Sequence, residues 1–123
     1  MLLILIYTAS VLMTVWGVAH LLATRGVVAG FGALSEDNRR IITMEWIVEG
    51  VALIATGAFV SAAALVDPAS GVAFAVYAVA IATLIVLAFV SIFTGFRIAF
   101  LPFRLCPIIF SICAALIAWG AWG

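Results

Sequence analysis

Apolar residues run almost without interruption through four stretches, 2–24, 41–66, 71–96 and 105–123. Charged side chains gather between them, apart from Glu45 and Glu49, with His20 the remaining ionisable group inside a stretch. A hydrocarbon core about 30 Å thick takes roughly 20 helical residues to cross, which is about the size of each stretch. Backbone amides in lipid must satisfy one another, so each stretch is expected to be a helix. A β-barrel would need alternating segments of about ten residues, and runs such as AVAIATLIVLAFV do not alternate. The predicted fold class is all-α: an integral membrane four-helix bundle, one transmembrane domain over residues 1–123. The opening run MLLILIYTASVLMTV has no basic flank and continues to the length of a span, so it reads as a first helix rather than a cleavable leader.

The connections set the topology. The first, 25–40, holds Arg25, Arg39 and Arg40; the second is a short turn at Asp67 and Pro68; the third, 97–104, holds Arg97 and Arg104. Antiparallel hops put the first and third at one end, which collects every arginine. The positive-inside rule makes that end cytoplasmic and leaves both termini on the non-cytoplasmic side. Trp119 and Trp122, with Tyr7 and Tyr77, are expected to form an aromatic belt at the opposite interface. Residues 25–35, including GVVAGFGAL, are too short to span and too apolar for water, which predicts an interfacial or re-entrant loop. Ser35 reads as an N-cap with Glu36 and Asp37 in the first turn. Pro102 and Pro107 mark the start of the last helix. Small residues such as Gly17 and Gly57 predict close helix packing.

Composition sharpens the picture. Of 123 residues, 69% are hydrophobic and 8% charged, whereas a soluble domain carries about 25% charge. Mean hydropathy is +1.47. The net charge is +0 and lysine is absent, so no nucleic-acid partner is expected: that mode of binding needs clustered basic residues. Cys106 and Cys113 are seven positions apart; on a helix that separates them by roughly 10 Å, too far for a disulfide. They read as packing residues. No metal site is expected, because no cluster of His and Cys ligands accompanies them. Nor is there a redox motif, a pair of haem histidines or a Gly-rich nucleotide loop, so the cofactor stays unassigned.

Ionisable groups at membrane depth are costly and face the bundle interior with partners. His20 lies five residues before Arg25 and Glu45 five after Arg40, which puts both about 7–8 Å inside the arginine boundary. Glu49 is one turn deeper. His20, Glu45 and Glu49 are therefore the candidate proton-active residues, with Trp16 and Trp46 as aromatic walls and Arg97 and Arg104 at the rim. Ser91 and Thr94 approach the same layer from the third helix.

Three functions compete. The first is binding of a lipid-soluble small molecule, quinone- or sterol-like, with proton exchange at the site. The second is an oligomeric proton-coupled transporter of small molecules. The third is a non-catalytic assembly subunit of a larger membrane complex. Membrane lipid is the expected surrounding partner, and a homo-oligomer or partner subunit stays open, as does enzyme activity. In layout, the segment HLLATRGVVAGFGALSEDNRRIITMEWIVEG, residues 20–50, resembles the DoxX-like group of small bacterial membrane proteins. A bacterial inner (plasma) membrane location is expected, and the resemblance implies either a link to quinone or thiol redox systems or no known activity. It assigns no residue.

Overall fold

A computed structural model describes residues 1–123. It contains four helices and no strand: α1 (Leu3–Gly30), α2 (Glu36–Val66), α3 (Gly71–Thr94) and α4 (Leu101–Trp122). All four are long and apolar enough to cross a membrane, in keeping with the four apolar stretches.

The helices start where their side chains can cap them. Ser35 accepts a hydrogen bond from the Asn38 amide at 3.2 Å, and Ser70 accepts one from the Ala73 amide at 3.1 Å; each satisfies an amide that the first turn leaves free. Arg40 Nε donates to Glu36 Oε1 at 3.0 Å one turn along. Pro102 sits in the first turn of α4, where a missing N–H costs nothing.

Two sequence expectations are corrected. The loop expected over 25–35 is shorter: α1 continues to Gly30, and the chain turns at Gly32, whose φ of 74° suits a residue without Cβ. Residues 26–30 gain by staying helical, because the backbone remains self-satisfied while Val27 and Val28 become buried. Tyr77 does not face an interface; it is fully buried, edge-on to Phe74, whereas Trp119 and Trp122 are exposed.

Buried positions recur every seven residues along each helix. In α1 the row is Ile6, Met13, His20 and Val27, flanked by Ser10, Gly17 and Thr24. In α2 it is Gly50, Gly57 and Ala64 beside Leu53 and Val60; in α4 it is Cys106, Cys113 and Gly120 beside Phe110 and Ile117. A seven-residue period keeps one seam facing a neighbour along a gently supercoiled, nearly antiparallel pair. The helices accordingly form a square, α1 packing on α2 and α4, and α3 on α4, while α2 and α3 touch least.

Glycines decide how close α1 and α2 come. A Cβ added to Gly17 would lie 2.6 Å from the Gly50 carbonyl oxygen, and one added to Gly57 would lie 2.7 Å from that of Ser10. Only backbones without side chains at these points can approach so closely. At the far end, the Leu2 amide donates to the Gly120 carbonyl at 2.7 Å and fastens the start of the chain to α4.

Candidate functional site

His20 occupies a core position of the α1 seam and is 4% exposed. Its Nδ1 lies 2.8 Å from the Trp16 carbonyl oxygen. A carbonyl only accepts, so Nδ1 carries a proton and Nε2 is the nitrogen left to face the cavity. Opposite it, 3.5 Å away, is Glu49 Oε1. One proton placed between the two groups, as imidazolium and carboxylate or as imidazole and carboxylic acid, would make the contact attractive and leave the pair with zero net charge, the form that apolar surroundings favour.

Aromatic rings fix the imidazole. Trp46 stacks on it with centroids 4.8 Å apart and an interplanar angle of 26°, and Trp16 meets it edge-on at 5.7 Å. The Trp46 indole N–H donates to the His20 carbonyl at 2.7 Å, a hydrogen bond between α1 and α2. Thr24 Oγ1 donates to the same carbonyl at 3.1 Å. The Trp16 indole nitrogen, by contrast, is buried without a partner. Trp46 also reaches Phe103 of α4, with ring centroids 5.3 Å apart, and the two rings close the space between diagonal helices.

These groups line a cavity of about 270 Å³, half of whose ten lining residues are hydrophobic. His20, Trp46 and Glu49 form one side; Leu87, Val90, Ser91, Thr94 and Gly95 of the third helix and its end form another; Phe103 and Cys106 close it. The Ser91 and Thr94 hydroxyls donate back to the Leu87 and Val90 carbonyls at 2.7 and 2.6 Å, so they offer a ligand acceptor lone pairs rather than free protons. The cavity lies on the α2–α3 side, where the bundle is least closed.

The predicted residues divide. His20, Glu49 and Trp46 meet in the cavity, and Trp16 touches His20 from behind. Glu45 does not join them: it is exposed on α2 and makes no ion pair. Four residues advance a helix by 400°, so one turn rotates the side chain by about 40°, and Glu45 is also a turn nearer the arginine end. Arg97 and Arg104 do not rim the site. Arg97 is exposed, and the Arg104 guanidinium sits over the Phe96 ring at 5.5 Å, a cation–π contact away from both carboxylates.

Two further residues belong to the site: Phe103, and Cys106, which the sequence marks only as a packing residue. Cys106 lies beside the His20 imidazole and lines the same cavity. The signal available was position: Cys106 lies on the apolar side of Arg104, two residues from it, as His20 lies on the apolar side of Arg25, five residues from it. No cluster of three His, Cys, Asp or Glu side chains suited to a metal ion occurs. Comparison with family models, curated proteins and solved structures returns no match to this chain, and its function is therefore read from the site alone.

Proposed function

We propose that this protein binds a lipid-soluble small molecule, quinone-like in its head group, in the His20–Glu49 cavity and exchanges protons with it there. The observation that carries the reading is the 3.5 Å contact between His20 Nε2 and Glu49 Oε1 in the wall of a mixed polar and apolar cavity. About 270 Å³ is just below the range of sites that enclose drug-sized ligands, roughly 300–1,000 Å³. It suits a one- or two-ring head group rather than a fused sterol skeleton.

The rest of such a molecule has a place to lie. Along the α2–α3 seam, away from the arginine end, runs an open groove of about 330 Å³ lined by Thr56, Phe59, Val60, Val72, Ala75, Val76, Val79, Ala80 and Thr83. Thr83 of the groove and Leu87 of the cavity are one helical turn apart on α3, so a tail leaving the cavity continues into the groove. A carbonyl oxygen of the head group at Glu49 or His20 would accept a proton in step with any reduction supplied from elsewhere. This reading agrees with the quinone link that the DoxX-like layout implies.

The test is saturable quenching of tryptophan fluorescence in nanodiscs by a short-chain naphthoquinone. Binding should weaken by about tenfold, roughly 1.4 kcal/mol, in Leu87→Trp, which fills the cavity, and in Glu49→Gln. Quenching that only follows the quinone's partition into lipid, and is the same in both variants, rejects the reading. It would leave the oligomeric transporter and the assembly subunit as the alternatives.

A further inference from the structure

The two cysteines occupy the same register of α4, yet their surroundings differ. Cys113 is fully buried, and its Sγ points to the Ala9 carbonyl of α1 at 3.8 Å. No ionisable partner is near it. Cys106 sits two turns away, 6% exposed, with its Sγ 3.5 Å from the Pro102 carbonyl and the His20 imidazole beside it. One cavity thus contains a thiol, an imidazole and a carboxyl. A thiol becomes nucleophilic when a neighbouring base takes its proton.

We propose that Cys106 is a reactive thiol that adds to lipid-soluble α,β-unsaturated carbonyl compounds, with the His20–Glu49 pair as the proton carrier. The inference rests on the cavity admitting such molecules, as argued above. The step balances without an oxidant or reductant. Cys106 Sγ forms a bond to the β-carbon, the C=C π pair shifts toward the carbonyl, and the resulting enolate oxygen takes a proton from the pair. The pair is restored by the proton leaving the thiol. The product is a thioether; with a quinone ring it is the hydroquinone thioether.

The site favours addition over acyl transfer. A tetrahedral acyl intermediate needs free donors aimed at its oxyanion, but the Ser91 and Thr94 hydroxyl protons are committed to their own helix. In conjugate addition the charge develops on the ligand's own oxygen, away from the sulfur, where the proton held between His20 and Glu49 can reach it.

The experiment uses the full chain in nanodiscs, N-ethylmaleimide as probe, and peptide mass spectrometry to follow each cysteine. Cys106 should be alkylated at least about tenfold faster than Cys113, and His20→Gln and Glu49→Gln should each slow Cys106 by about 10- to 100-fold. Thr8→Val, exposed near the opposite end of α1, should leave the rate unchanged. Continued protection of Cys113 in the variants shows that the bundle is intact, so a slow Cys106 is not a misfolded one. Equal rates at the two cysteines, or a Cys106 rate indifferent to both His20→Gln and Glu49→Gln, overturn the proposal. If naphthoquinone binds while Cys106 stays inert, this inference fails and the ligand reading stands. Fast, His20-dependent alkylation without naphthoquinone binding removes the ligand reading and supports the thiol.

Discussion

His20 Nε2 faces Glu49 Oε1 at 3.5 Å while His20 Nδ1 is committed to the Trp16 carbonyl at 2.8 Å. The second contact determines the meaning of the first. Because the carbonyl claims the Nδ1 proton, Nε2 is the ring nitrogen through which His20 can exchange a proton with Glu49.

This asymmetry separates two variants. Glu49→Gln keeps a side-chain amide that can donate to Nε2, so its unfolding free energy in detergent titration should change by less than about 1 kcal/mol. His20→Ala removes the ring from between Trp16 and Trp46 and deprives Glu49 of its proton partner. That variant should lose about 2–4 kcal/mol. Losses that simply add in the double variant would mean that Glu49 and His20 do not act as a pair.

The glycine seam makes a sharper prediction. Gly17→Val would drive a side chain into the Gly50 carbonyl, 2.6 Å from its Cβ position, and neither backbone can move without separating α1 from α2. A loss of about 1–3 kcal/mol or more is expected. Gly26→Ala, with nothing within 4 Å of the added Cβ, should be neutral or stabilise by about 0.5–1 kcal/mol. Reversal of that order in detergent unfolding would contradict the packing described.

Trp46→Phe tests the bond from the indole to the His20 carbonyl. Phenylalanine retains a ring over the imidazole but cannot donate, and interhelical hydrogen bonds in membranes contribute about 0.6 kcal/mol on average. The stability change should be that small. Naphthoquinone affinity should fall more than stability does, since His20 then loses the contact that sets its height in the cavity.

Sidedness is open to direct labelling. With the arginine end in the cytoplasm, Ala69→Cys in the exposed α2–α3 turn should react in intact cells with a membrane-impermeant maleimide. Ala33→Cys, exposed between α1 and α2, should react only after lysis. The opposite pattern would invert the orientation.

Much of this fold was legible in the sequence. Charge-free stretches located the helices, Ser35 announced the start of α2, and antiparallel hops placed all five arginines at one end. The helical continuation over 25–30 was harder to see, since Gly26 and Gly30 read locally as loop residues. The packing that buries Val27 and Val28 is not local.

What the amino-acid order determined by itself was therefore the number and order of the helices, and the positions of His20 and Glu49 relative to the arginines. All of these follow from where charge interrupts apolar sequence. What only tertiary structure decided was rotation: that Glu49 turns toward His20 and Glu45 away, that Tyr77 points inward, and that Cys106 joins the cavity while Arg104 leaves it. In water, an apolar stripe marks the inner face of a helix. Here the outward faces are as apolar as the core, so hydrophobicity cannot tell one from the other. The choice falls to close packing between helices, above all where Gly17 meets Gly50.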